Sequence, residues 1–379
     1  MKTRQHHFLN SAWKDYASDL NPENCQLVLA FGSSETIIDP KAYAYLSNLY
    51  PNADIVFSST AGEIIGDTVY DNSIVATAIE LEKTTVKSVK TDISLHTNSF
   101  ETGNYLMKEL FKDDLNNIFL ISDGTSVNGS ELVDGINHNN QSQVPVTGGL
   151  AGDAARFEKT FTGLNEVPGQ GNVIAIGFYG ASLQIGHGSL GGWDEFGQER
   201  VITRADQNVL YEIDHKNALD LYKQYLGDYA NELPGSALLF PLSIRINGSD
   251  KNLVRTILSV NEEEKSMTFA GNLPEGSKVR FMKANFDKLI EASSTAAKNA
   301  FTSIIENQQP DLAILVSCVG RKLILNEMID DEVLAAKNIL GDHTAITGFY
   351  SYGEISPFNK STQCELHNQT MTITTFTEL

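Results

Sequence analysis

Apolar residues in this chain fall in short runs, each ending in a cluster of small residues, and the runs recur in one order three times. The first pass has an apolar run at Gln26–Phe31, ending at Gly32-Ser33-Ser34, then a helical stretch over Lys41–Leu49 and a second run at Ala53–Ser58. The turn Ser59-Thr60-Ala61-Gly62-Glu63 and a third run, Ser73–Leu81, complete it. The second pass runs Ile118–Ser122, a helical stretch over Ser130–Asn137, Val144–Thr147, the turn Gly148-Gly149-Leu150-Ala151-Gly152-Asp153, and Asn172–Tyr179. The third runs Leu312–Ser317, then Cys318-Val319-Gly320-Arg321, a helical stretch over Asp330–Leu340, Thr344–Tyr350, the turn Ser351-Tyr352-Gly353-Glu354, and Thr370–Phe376. Helical spacing precedes each pass, at Leu9–Leu20, Asn104–Phe111 and Phe286–Glu306. Short β-rich runs bounded by glycine are strands, so the unit reads as α-β-α-β-turn-β.

Residues 181–285 break the pattern. Ala237–Ile246, Leu253–Val260 and Lys265–Ala270 predict strands, and Asn261-Glu262-Glu263-Glu264 a charged turn. Asn217–Leu226 predicts an amphipathic helix, and Gly188–Gly197 a glycine-rich loop. The turn glycines stand at 62, 152 and 353, leaving room between the second and third units for an insertion or a worn fourth copy. The fold class is mixed α/β (α+β): repeated units forming mixed parallel and antiparallel sheets flanked by helices, in two closely packed halves.

Charge narrows the function. The chain has 379 residues, with 48 acidic against 28 basic and a net charge of −20, which opposes binding to nucleic acid or an anionic membrane surface. Cys25, Cys318 and Cys364 lie far apart with no CxxC pair, against a disulfide framework or a thiolate zinc site. No apolar run approaches the roughly 20 residues that span a bilayer, and none follows the first residues as a signal peptide would. The expectation is a soluble, cytoplasmic protein.

Candidate chemistry gathers at the turns. Each carries a glycine and then a carboxylate, Glu63, Asp153 or Glu354, able to accept an ammonium or guanidinium; each equally suits a turn cap or an arginine partner. The turn at Gly149 lacks the Gly-Lys-Ser/Thr ending of a triphosphate loop. Arg321, beside Cys318 and Gly320 at a strand end, offers a fork for a carboxylate, or an ion pair with one of the many acids. Tyr350 and Tyr352 add flat, partly polar walls. His367 precedes the last strand on the Glu354 side. No GxSxG elbow or histidine pair at ligand spacing occurs, so an enzyme or a dedicated metal site is not expected.

Several blocks together resemble the FIST sensory family. They are Ser59-Thr60-Ala61-Gly62-Glu63-Ile64 after Tyr50-Pro51-Asn52-Ala53-Asp54, Gly148 to Asp153, Gly191-Gly192-Trp193 and Asn208-Val209-Leu210-Tyr211-Glu212. Phe240-Pro241-Leu242, Val254-Arg255, Pro274-Glu275-Gly276, Cys318 to Arg321, Gly348 to Ile355 and His367-Asn368-Gln369-Thr370 continue the match. The resemblance implies an N-terminal domain over 24–212 and a C-terminal domain over 213–379. It implies a ligand-sensing module for amino acids or similar small molecules, without a cofactor and without turnover, that signals to a partner histidine kinase, cyclase or chemoreceptor-type output. The expected ligand site is Glu63, Gly149, Asp153, Cys318, Gly320, Arg321, Tyr350, Tyr352, Glu354 and His367. Some members are haem-containing nitric oxide sensors, for which His367, His187 or Cys318 would be the axial ligand. Relatives often carry a fused output module; here the chain ends after the last predicted strand, so a stand-alone sensor is expected.

Overall fold

The computed structural model describes residues 1–140, 143–233, 235–246, 252–301, 309–357 and 363–379. The first unit contains β1 (Lys2–Leu9), β2 (Ala12–Asp15), β3 (Leu27–Gly32), α1 (Ser34–Ile37), α2 (Pro40–Leu49), β4 (Asp54–Ser59), β5 (Glu63–Ile65), β6 (Thr68–Tyr70) and β7 (Ile74–Glu80). The second contains β8 (Thr85–Asp92), α3 (Ser99–Leu110), β9 (Leu115–Ser122), α4 (Gly129–Asn139), β10 (Val146–Leu150), β11 (Thr162–Leu164) and β12 (Asn172–Tyr179). After β13 (Leu183–Leu190) comes a hairpin module of β14 (Asp194–Asp206), β15 (Val209–Ile213), β16 (Lys216–Asn217), α5 (Ala218–Leu226), β17 (Leu242–Arg245), β18 (Asn252–Arg255), β19 (Ile257–Asn261), β20 (Ser266–Phe269) and β21 (Lys278–Lys283). The third unit contains α6 (Phe286–Phe301), β22 (Leu312–Cys318), α7 (Val319–Leu325), α8 (Ile329–Leu340), β23 (Ala345–Ser351), β24 (Gly353–Pro357), β25 (Cys364–His367) and β26 (Met371–Glu378).

Each unit centres on one six-stranded mixed sheet. Two strands run parallel, β3 with β4, β9 with β10, β22 with β23, and a third lies antiparallel to the first. Both faces of these strands are covered, which is why they read as continuous apolar runs. Asparagine or aspartate starts several helices: Asp39 accepts from Lys41 N at 2.9 Å, Asn98 from Glu101 N at 2.9 Å, and Asn217 from Asp220 N at 2.9 Å.

What the repeat conceals is an exchange between units. After each turn the chain leaves its own sheet. β5 pairs with β23 of the third unit, β11 with β4 of the first, and β24 with β10 of the second. Each unit therefore lends a strand to the next around a closed ring. The largest core cluster draws residues from all three units, among them Ile64, Leu120 and Leu315. The hairpin module forms its own eight-stranded sheet and has a separate core around Tyr222, Phe269 and Phe281.

Four expectations are corrected. Leu9–Leu20 is a hairpin, not a helix: Asn10 and Ser11 both take positive φ, 53° and 64°, the two-residue turn whose twist suits paired strands. Gly188–Gly197 is not a loop but the end of β13, a turn at Gly191-Gly192, and the start of β14. Leu253–Val260 is two strands, β18 and β19, separated at Thr256, and Ala237–Ile246 forms β17 only in its later part. The helix expected to Glu306 is observed as α6; residues 302–306 lie outside the described residues.

Candidate functional site

The three turns do meet. Ala61 N donates to Tyr350 O and Tyr350 N to Gly62 O, both at 2.8 Å; Gly152 N donates to Ser59 O at 3.0 Å, and Tyr352 N to Leu150 O at 3.2 Å. Their acids, however, turn inward. Glu63 accepts from Thr60 Oγ1 and from Ser73 N and Oγ, at 3.2 and 2.7 Å. Glu354 accepts from Ser351 Oγ at 2.7 Å and from Thr370 N and Oγ1 at 3.2 and 3.0 Å. These are the same contacts at equivalent places, three residues back and just before the returning strand. Burial pushes the Glu63 carboxyl up to about 7 and the Glu354 carboxyl up to about 8, against the pull of those donors.

Asp153 departs from the pattern, because Leu150 stands where Thr60 and Ser351 supply hydroxyls. It clamps its own loop instead, accepting from Arg156 Nε at 2.6 Å, Glu158 N at 3.2 Å and Lys159 N at 2.9 Å. Gly171 N, before the returning strand of that unit, is taken by Asp123 at 3.0 Å. The three carboxylates are all buried and do not share a cleft.

Arg321 is spoken for. Its guanidinium, wholly buried, pairs with Glu332 of α8 and also donates to the carbonyls of Gly191 and Leu289. Tyr350 donates to Glu332 Oε2 at 2.8 Å, and burial drives its hydroxyl well above the usual range. Gly320 faces the Gln369 side chain, which a Cβ would strike at 2.4 Å; a Cβ at Gly149 would meet Val316 at 2.7 Å. These residues knit the third unit to its neighbours.

Tyr352 differs. It lines a cleft of about 380 Å³ between the second unit and the hairpin module. One wall is the segment Gly124–Gly129, where β9 runs into α4; the other is Asn208, Leu258 and Phe269 to Gly271 of the module. Leu150, Phe157 and Tyr352 close the end. Asn128 caps α4 through Ser130 N and Glu131 N at 3.1 and 3.2 Å, and its Nδ2 donates to Asn272 Oδ1 across the cleft at 3.2 Å. Asp123 fixes the segment by accepting from Thr125 N and Ser126 N at 2.8 and 2.6 Å.

The Phe157 ring stacks on Tyr352, centroids 4.4 Å apart and planes at 19°. Phe157 N donates to Tyr352 Oη at 3.0 Å, and Tyr352 donates to Ala154 O at 3.3 Å. Phe157 has a φ of 56°, which a bulky side chain seldom takes; such a conformation costs roughly 1–3 kcal/mol and persists where the surroundings enforce it. The Asp153 clamp supplies that enforcement.

Of the ten expected residues, then, the cleft brings in Tyr352 directly and Asp153 through its loop. The others lie in the ring's core or turns. The expectation missed Thr125, Ser126, Asn128, Phe157 and Phe269. Asn128 was readable as an N-cap following a strand end, and Asn208 stands in one of the blocks that carry the family resemblance; Phe157 has no local signal.

The axial candidates for haem do not fit one. His367 Nε2 lies 3.1 Å from Ser356 O, the Cys318 thiol is fully buried with its pKa driven upward, and the half-buried His187 sits on β13. None lines the cleft, and the apolar cavity beside Leu29, Phe178 and Phe376 holds about 10 Å³. Haem ligation needs a donor facing an apolar chamber. Among the described residues no cluster of His, Cys, Asp and Glu is placed to hold a metal ion, and no helix is long and apolar enough to cross a membrane.

Comparison with known proteins gives the FIST N domain over residues 26–216 and the FIST C domain over residues 218–357. The chain belongs to the FIST family. Within that FIST chain, 209 residues are 26% identical to an uncharacterized protein of Methanocaldococcus jannaschii; the match spans 49% of this chain and 37% of that protein. Among solved structures, a cyanuric acid hydrolase from A. caulinodans aligns over 100% of this chain and 99% of its own, at 7% identity and a TM-score of 0.39. The boundary between the two segments falls inside the interlaced architecture, since β5 of the FIST N segment pairs with β23 of the FIST C segment.

Proposed function

We propose that this FIST protein is a cytoplasmic small-molecule sensor that binds its ligand without turnover and signals to a separate protein, such as a histidine kinase or cyclase. The cleft carries this reading. Its volume of about 380 Å³ falls in the range of small-molecule sites, about 300–1,000 Å³. Its walls belong to two bodies with separate cores, the ring and the hairpin module. A ligand touching both would favour one arrangement of the module over others, and a partner reading that surface would register the change in population. The family resemblance makes amino acids and similar metabolites the first class to try.

The test is a thermal-shift screen of the full chain against amino acids and related metabolites. A ligand at a hundred times its Kd adds about 2.7 kcal/mol, enough for a clear rise in Tm. Tyr352→Ala is expected to suppress that rise. If no compound at millimolar concentration moves Tm, the sensor reading falls.

A further inference from the structure

A free amino acid brings two opposite charges, and a cleft that takes it must answer both. Among the described residues none of the side chains lining this cleft carries a charge at neutral pH. Asp123, Arg255, Asp153 and Arg156, behind the walls, already have partners. Asp123 is spent on Thr125, Ser126 and Gly171. Arg255, beneath Gly271, is buried and directs Nε to the carbonyl of Asn272 and Nη1 to those of Val254 and Leu366. Asp153 holds Arg156 and the loop amides, and Arg156 also pairs with Glu35 at 2.8 Å. An ammonium entering the cleft would lose water and find no carboxylate, which is costly.

What the cleft offers instead is flat surface and neutral polar groups. Phe157 is 38% exposed although its ring is already stacked on Tyr352, and the exposed Leu258 stands on the module side. Ser126 is exposed and its hydroxyl has no partner among the described residues, and the Asn208 side chain uses Nδ2, toward Phe269 O at 2.8 Å. Aromatic faces favour offset stacking with another ring; the hydroxyl and amide supply one donor and one acceptor for its edge.

We infer that the cleft selects an uncharged, flat heteroaromatic molecule, stacked against the Phe157–Tyr352 pair with its edge toward Ser126 and Asn208, in preference to a free amino acid. The inference rests on the sensor reading and narrows it. Specificity here comes as much from the missing charge partner as from the stack.

The experiment titrates the full chain with neutral rings (nicotinamide, uracil and adenine), with nicotinate as the charged match of nicotinamide, and with L-alanine and L-phenylalanine, reading Tm and ligand-observed NMR. At least one neutral ring is expected to raise Tm with concentration, nicotinate to bind at least tenfold more weakly than nicotinamide, and the amino acids to leave Tm unmoved. Phe157→Leu is expected to weaken the best ring at least fivefold, and Phe157→Trp to retain it. Nicotinate or an amino acid binding as tightly as the best neutral ring overturns the ligand class and leaves the sensor reading standing. Unchanged binding in Phe157→Leu overturns the stacking position. No response to rings or to amino acids withdraws both readings.

Discussion

Glu63 and Glu354 show how a residue can be conspicuous in sequence and yet serve the frame. Both sit after a turn glycine, both are buried, and both are held by a hydroxyl three residues back and a Ser or Thr before the returning strand. Their folded-state pKa values, about 7 and about 8, lie above the 4.5 of an unperturbed glutamate. In the window between, the folded chain holds protons that the unfolded chain has released. Their contribution is therefore fully present below about 4.5 and is lost as pH rises through about 8, one pKa unit corresponding to about 1.4 kcal/mol. Glu354→Gln keeps a donor and an acceptor but cannot ionise. In urea unfolding it is expected to match the parent near about pH 5 and to exceed it by about pH 9; a variant that trails the parent equally at both refutes the assignment. The recurring Gly-acid corner was readable because it repeats locally. Ser73 and Thr370 were not readable as its partners, since each lies beyond an intervening hairpin. Arg321 was legible as a guanidinium awaiting an acid, but whether that acid was a ligand's or Glu332 depended on how α8 packs.

At the scale of elements, the close crossing of α3 and α4 depends on absent side chains. A Cβ at Gly103 would stand 2.1 Å from Leu132 O, and one at Gly135 would stand 2.0 Å from Phe100 O. Each helix presses a glycine against the other's backbone, so the gain in helix propensity from alanine is outweighed by separation of the pair. Gly103→Ala is expected to lower stability by roughly 1–3 kcal/mol, the usual cost of overpacking, measured by chemical denaturation; a neutral or stabilising result means the crossing relaxes freely. Buried strands such as β3, β9 and β22 could be read from their apolar runs. The more exposed strands β1 and β8 could not. Their side chains are mostly half-exposed, so Lys2–Leu9 and Thr85–Asp92 carry lysine, arginine and threonine in place of a clean apolar signal. At Leu9–Leu20 a chance three-to-four spacing of apolar residues overrode the Asn10-Ser11 turn.

For the whole molecule, the repeat announced three similar units but not their exchange, because nothing in a short strand such as Glu63–Ile65 names the distant Thr347–Phe349 it joins. The cleft was equally hidden, being built from backbone, small residues and aromatic faces contributed by remote segments. Interlacing also has a direct outcome for dissection. Residues 24–212 contain β5 and β13, whose partners β23 and β26 lie beyond 213. Produced separately, 24–212 and 213–379 are each expected to lack cooperative unfolding and to gain it when co-expressed; two independently cooperative halves would contradict the closed exchange. The same closure sets a timetable for the nascent chain. Glu63 leaves the ribosome well before Phe349, and at about 5–20 residues per second the interval is on the order of tens of seconds. Until then β5 has an unmet sheet edge, open to the wrong neighbour on a crowded polysome. For this protein, arriving safely at the native state is as much a matter of waiting as of folding.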